Sequence, residues 1–149
     1  MTNEPISIIL AEDDEDDRVI FQDALKELPI FTKLITVNDG EELMEHLFRN
    51  NKEPVHVLFL DINMPRKNGI DCITAIKKNE NLNNLPVIIF STSFDKEMID
   101  HLHDLGANYY MRKPNGFLRL QEIIERALNL MLTTGLSQPA KDKFILNVV

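Results

Sequence analysis

Cysteine and glycine are scarce in this chain, and basic residues are outnumbered. The 149 residues hold one cysteine, Cys72, so no disulfide can form within the chain, and a reducing cytoplasm is the natural setting. Only five glycines occur, while 44% of the chain is apolar, so a proper core can form without a disulfide or metal staple. Lysine and arginine number 16 against 24 acids, giving a formal charge of -8 and a pI near 4.9. A domain this acidic has no electrostatic footprint for nucleic acid or anionic membranes. No apolar run approaches the roughly 18 residues that a bilayer span requires. The first run, Ile6 to Leu10, is too short for a signal peptide and is followed by acids. The length fits one domain.

What is present is a repeated alternation. Five short runs rich in Ile, Val, Leu and aromatics recur: Ile6–Leu10, Leu34–Val37, Val55–Leu60, Val87–Phe90 and Tyr109–Met111. They scarcely alternate with polar residues, as expected of strands buried on both faces of a parallel sheet. Stretches with helical spacing follow them. Phe21, Ala24, Leu25 and Leu28 mark the first, and Leu43, Met44, Leu47 and Phe48 the second. Ile70, Ile73 and Ile76 mark the third, and Met98, Ile99, Leu102 and Leu105 the fourth. Leu120, Ile123, Ile124, Ala127, Leu128 and Met131 mark the last. Pro29, Asp39-Gly40, Pro54, Pro65, Pro86 and Gly106 fall at the boundaries. Five βα units predict a doubly wound α/β domain with a five-stranded parallel sheet, order 2-1-3-4-5, and helices on both faces. Past Thr133-Thr134-Gly135, which ends the last helix, Ser137-Gln138-Pro139 reads as linker. The apolar end, Phe144 to Val149, either folds back onto its own domain or meets another subunit.

In an open parallel sheet, ligands bind at the carboxyl ends of the strands. After the first run comes an unbroken acidic stretch, Glu12-Asp13-Asp14-Glu15-Asp16-Asp17. A phosphate cradle would need glycines or hydroxyls there, and these carboxylates would repel an anion. They suit a hard cation such as Mg²⁺, which takes one or two carboxylates and keeps several waters. Asp16 and Asp17 read as complements to the helix dipole instead. After the third run stands Asp61, after the fourth Ser91-Thr92-Ser93, and after the fifth Lys113-Pro114. If strands one and three are neighbours, about 4.8 Å apart, Asp13 and Asp61 converge on one ion, which keeps Asp61 ionised as a nucleophile requires. Lys113 lies two strands away, on the order of 10 Å, a gap its side chain can largely cover. Glu12, Asp13 and Asp61 bring three negative charges, and Mg²⁺ with Lys113 brings three positive ones. Such a pocket can receive a phosphoryl anion. Taken singly, Asp61 also reads as a cap and Lys113-Pro114 as an exposed turn.

In this order and spacing, Glu12-Asp13, Asp61-Ile62-Asn63-Met64-Pro65, Gly69, Ser91 and Lys113-Pro114 resemble the receiver domains of two-component response regulators. The resemblance runs from about Ile6 to Met131, with a receiver domain at 1–132 and a tail at 133–149. It implies a flavodoxin-like fold and a phosphoacceptor at Asp61. It implies Mg²⁺ held by Asp13, Asp61 and the backbone carbonyl of Asn63, with Glu12 acting through water. Lys113 would contact the phosphoryl oxygens, and its bond to Pro114 would be cis. Ser91 would move to bond the phosphoryl group, and Thr92 beside it would impede hydrolytic water. Tyr110 matches the aromatic that turns inward in response, although a packed core aromatic is the plainer reading. The expected donor is a sensor histidine kinase. Since no output domain follows, the chain looks like a stand-alone cytoplasmic regulator, similar to those associated with bacterial phytochrome kinases. It would not be an enzyme beyond assisting its own phosphorylation and dephosphorylation. A homodimer through the fourth and fifth helices is a further expectation.

Two other classes compete. An aspartate-nucleophile phosphohydrolase would carry a second acid two residues past the nucleophile, where this chain has Asn63. A phosphorylation-independent interaction module would have no need of the intact set Asp13, Asp61, Ser91 and Lys113. His46, His56, His101 and His103 are placed too far apart, or point too differently, to form a metal site. The acidic stretch lacks the glycine of an EF-hand loop. Cys72 reads as packing.

Overall fold

The computed structural model describes residues 4–49, 54–134 and 138–146. Five strand–helix units come in order: β1 (Ile6–Ala11), α1 (Glu15–Lys26), β2 (Thr32–Val37), α2 (Gly40–Arg49), β3 (Val57–Leu60), α3 (Gly69–Lys78), β4 (Val87–Ser91), α4 (Lys96–Asp104), β5 (Tyr109–Arg112) and α5 (Phe117–Thr134). A short 3₁₀ turn (Lys141–Lys143) and a sixth strand, β6 (Ile145–Leu146), follow. The sheet order is β2-β1-β3-β4-β5-β6, and every neighbouring pair is parallel. This is the doubly wound, flavodoxin-like arrangement, in which the strand order reverses beside β1.

The unalternating strand sequences have a direct explanation. Successive side chains point to opposite faces, and both faces are covered. Ile9, Leu58, Leu60 and Ile89 enter the core beneath α2, α3 and α4, with Leu43, Ile73, Ile76 and Leu102. Ile8, Leu10, Phe59 and Ile88 enter the other, beneath α1 and α5, with Phe21, Ile124 and Leu128. Phe21 of α1 meets the edges of Phe59 and Phe90 at 5.1 and 5.5 Å. Phe21→Ala would cost about 3–5 kcal/mol in lost burial and cavity.

Short polar side chains also start three of the helices. Asp14 caps α1 by accepting the Asp17 N–H, Asn68 caps α3 from Asp71, and Asp95 caps α4 from Glu97. These caps fix where each strand-end loop stops.

Several expectations need correction. The sheet has six strands, because the tail adds β6 in parallel beside β5, with Tyr110 opposite Ile145. Among the described residues, Phe144 to Leu146 of the apolar end fold back onto the chain's own domain, which was one of the two readings, and bury Phe144 and Leu146. Gln138 and Pro139 are not a free linker: the Gln138 side chain donates to the carbonyls of His103 and Ala107, and the Pro139 carbonyl meets His103 Nε2 at 2.8 Å. Phe48 stands 53% exposed at the end of α2, although its spacing matches the buried Leu43, Met44 and Leu47. β3 begins at Val57, since His56 turns its Nδ1 back to accept the Ser7 N–H at 2.8 Å. The Lys113–Pro114 bond is trans, as are all described peptide bonds. Gly135, Ser137 and Asn147 to Val149, also part of the tail reading, lie outside the described residues.

Candidate functional site at the carboxyl ends of the strands

Register brings the acids together. Ala11 pairs with Leu60, so the residues that follow, Glu12 and Asp61, leave the sheet side by side. The Asp61 N–H donates to the Ala11 carbonyl at 3.0 Å. Glu12 is wholly buried and Asp61 nearly so, while Asp13 is exposed at the rim. One carboxylate oxygen from each of the three lies within 4.8 Å of the others.

Across the sheet, Ser91 ends β4 and its carbonyl accepts the Lys113 N–H at 2.8 Å. This aims the Lys113 side chain back over the strand ends. Its ammonium is hydrogen-bonded to Glu12, 3.0 Å from Asp17 Oδ2 and 3.8 Å from Asp61 Oδ2. The Phe90 ring lies 5.1 Å from the same ammonium. Below Asp61, Gly69 opens α3 with its N–H bonded to the Ile62 carbonyl at 2.9 Å. A Cβ at that position would stand 2.6 Å from the Asp61 carbonyl oxygen, so only glycine lets helix and loop approach this closely.

Electrostatics follow from burial. Loss of solvent pushes Glu12 up to about 8, with the neighbouring Asp61 adding to the rise and Lys113 opposing it. Asp61 is raised for the same first reason, against the pull of Glu12 hydrogen bonding and the Lys113 charge. Burial works to lower Lys113, but its hydrogen bonds to Glu12 and Asp17 prevail and hold it above its ordinary value. The carboxylates thus lack compensating charge, and a divalent cation would supply it. Three converging carboxylate oxygens and no soft donor among them suit a hard ion.

The other expected residues sit around this pocket. Asn63 is exposed and its N–H faces Asp61 Oδ1 at 3.4 Å. Ser91 is fully buried, and its Oγ accepts the Ser93 N–H at 3.1 Å. Thr92 is exposed and lines a cavity of about 450 Å³ with Arg112, Lys113, Pro114 and Leu146. Tyr110 is fully buried, its hydroxyl donating to the Ser93 carbonyl, and burial raises it above its ordinary value.

Two participants were not foreseen. Arg18 donates to the Glu12 carbonyl at 2.8 Å, fixing the turn that carries the acids. Asp17, read from sequence as a complement to the helix dipole, does lie in the first turn of α1 and in addition pairs with Lys113. A signal was available: Asp17 stands four residues before the buried Phe21, so the two share the helix face turned to the sheet.

A family model described as the response regulator receiver domain matches residues 8–125. The chain belongs to this family. Response regulator Rcp1 of Synechocystis sp. is 29% identical to this receiver domain over 138 residues, covering 89% of this chain and 93% of its own. Among solved structures, the phosphorylated cyanobacterial phytochrome response regulator RcpA superimposes with a TM-score of 0.81 at 30% identity, covering 92% of this chain and all of its own. The Mn²⁺-bound form of Rcp1 gives 0.76 at 27% identity, covering 91% and 100%. Receiver domains are signalling modules of two-component systems, partners of histidine kinases, and hold a divalent metal in an acidic pocket. Among the described residues, no helix of this receiver domain is long and apolar enough to cross a membrane.

Proposed function

We propose that this receiver domain takes a phosphoryl group from the phosphohistidine of a sensor histidine kinase onto Asp61, with Mg²⁺ as its metal, and signals by a conformational switch. The observation that carries this reading is the convergence of Glu12, Asp13 and Asp61 within 4.8 Å beneath the Lys113 ammonium. Asp61, nearly buried, lies between the wholly buried Glu12 and the exposed Asp13, with the Lys113 ammonium 3.8 Å away but not bonded to it. An Asp61 carboxylate oxygen bonds to phosphorus as the phosphorus–nitrogen bond to the donor histidine breaks, and the imidazole keeps that electron pair and takes a proton. Asp13, Asp61 and the Asn63 carbonyl would hold Mg²⁺, with Glu12 acting through water. The ion, when bound, would offset charge on the phosphoryl oxygens.

This chain's own residues do the rest. Lys113, whose ammonium already lies 3.8 Å from Asp61, neutralises the phosphoryl oxygens, and Ser91 releases the Ser93 N–H to bond them. Tyr110, already buried and tied to Ser93, links that serine loop to β5. Asn63, two residues past Asp61, offers no carboxylate for steady turnover, so the domain stores the group instead of acting as a hydrolase. The receiver occupies residues 1–132, with 133–149 as its tail, and works in the cytoplasm. The likeness to RcpA, a cyanobacterial phytochrome response regulator, favours a bacterial phytochrome as the kinase. A homodimer through α4 and α5 is the assembly to test by solution mass before and after truncation at Thr134.

The deciding experiment is labelling with acetyl phosphate and Mg²⁺. Stable stoichiometric label on wild type and none on Asp61→Asn is expected. No label, or rapid release of phosphate without accumulation, would overturn the reading. Faster transfer from a phytochrome kinase than from unrelated kinases would support the partner.

A further inference from the structure

Lys113 is shared by three carboxylates, and they are not equivalent. Glu12 and Asp17 both lie within hydrogen-bonding reach of its ammonium, whereas Asp61, at 3.8 Å, does not. An ammonium has three N–H donors, so the two bonds commit most of its capacity away from Asp61. Glu12 belongs to the group whose oxygens could share a cation; Asp17 does not. Asp17 sits on the first turn of α1, its own N–H bonded to the capping Asp14 at 3.2 Å, so the backbone beneath it is fixed. Its side chain is 37% exposed, against 13% for Lys113 and 7% for Asp61. The lysine is therefore tethered from the solvent side by an acid outside the metal-competent set.

We propose that Asp17 is a positioning residue that holds Lys113 in standby, near Asp61 but not bonded to it. The inference rests on the phosphoacceptor reading of Asp61. Two consequences follow. In the resting protein the tether leaves the Asp61 oxygens unobstructed by an ammonium, as an attacking carboxylate requires. After transfer, Lys113 must exchange Asp17 for the phosphoryl oxygens, so Asp17 competes with the phosphorylated state and limits how far it accumulates. Removing the Asp17 charge releases the competitor. Because the pair is partly exposed, the effect is modest, about two- to five-fold.

The test compares wild type, Asp17→Asn, Asp17→Glu and Asp16→Asn. Asp16 is an exposed neighbour on the same turn, so its substitution makes the same change in net charge. Two quantities are read: the Lys113 ammonium signal in ¹⁵N NMR of the resting protein, and the phosphorylated fraction at a fixed, sub-saturating acetyl phosphate concentration with Mg²⁺. Asp17→Asn is expected to shift the Lys113 signal and raise the phosphorylated fraction about two- to five-fold, the size set by a partly exposed ion pair. Asp17→Glu should restore wild-type behaviour, and Asp16→Asn should leave both readings unmoved. An unchanged Lys113 signal in Asp17→Asn, or a phosphorylated fraction equal to wild type, overturns the inference while leaving the phosphoacceptor reading standing. Equal effects from Asp16→Asn and Asp17→Asn overturn it too, since bulk charge would then suffice. Wild type without any label sinks the reading itself, and the inference with it.

Discussion

Phe144 sets its ring 6.3 Å from that of Tyr110, and its carbonyl accepts the Tyr110 N–H at 3.0 Å. The tail thereby closes over the strand that carries the tyrosine. His103 of α4 packs edge-on to the same phenylalanine at 5.0 Å, so one side chain joins helix, strand and tail. Phe144→Ala should cost about 3 kcal/mol, the low end for a buried aromatic because a detachable segment can leave its seat. In a Tyr109→Phe background, the chain's remaining tyrosine is Tyr110, and its fluorescence should become accessible to acrylamide. Unchanged stability and quenching would show that Phe144 does not hold Tyr110 inward.

Gly69 carries a second prediction. An added Cβ would meet the Asp61 carbonyl at 2.6 Å and the Ile62 Cα at 2.7 Å, both backbone atoms that cannot swing aside. Gly69→Ala should lose about 1–3 kcal/mol to this overpacking, measured by urea denaturation. It should also weaken Mg²⁺ binding, because the displaced segment carries Asp61 and Asn63. Wild-type stability and Mg²⁺ affinity together would contradict the close approach.

The raised carboxylates set a pH dependence. Burial moves Glu12 from its ordinary 4.5 to about 8 and Asp61 in the same direction. Between those values the folded, metal-free protein retains a proton that the unfolded chain has released. Stability therefore falls as pH rises through that window and returns as pH drops. Metal-free protein should lose a few degrees of Tm between about pH 5 and pH 8. Glu12→Gln should flatten that slope, and saturating Mg²⁺ should reduce it, since the ion favours the ionised acids. A Tm that climbs across the window, in wild type relative to Glu12→Gln, would refute the direction.

Much of this arrangement was legible because strand ends are easy to find. Five apolar runs gave five strands, and the polar residue after each run had to emerge on one edge of a parallel sheet. What escaped depended on contacts between distant segments. Ile145 and Leu146 pair with β5 across more than 30 residues, and two residues leave no periodicity to detect. Phe48 obeys the helical spacing, yet at the end of α2 it stays exposed beside the buried Leu47. Asp17 was hidden within a run of like residues. Its helical spacing to Phe21 turns it toward the sheet and Lys113, whereas Asp16 stays exposed.

The last prediction concerns how long the phosphoryl group persists. Thr92 follows the buried Ser91 and stands exposed at the mouth of the cavity that Lys113 and Pro114 line. On the phosphoacceptor reading, water that hydrolyses an aspartyl phosphate must approach phosphorus opposite the Asp61 oxygen, and the branched threonine side chain would narrow that approach. Thr92→Ala keeps the backbone and opens the space of a hydroxyl and a methyl group. Since Thr92 is exposed, stability should change by less than about 0.5 kcal/mol, so any kinetic change reports access and not folding. The phosphorylated protein, freed of phosphodonor, should lose its label several-fold faster in Thr92→Ala than in wild type, while Thr92→Val, of equal bulk, should keep the wild-type half-life. Equal half-lives for wild type and Thr92→Ala would show that water reaches the phosphorus by another route.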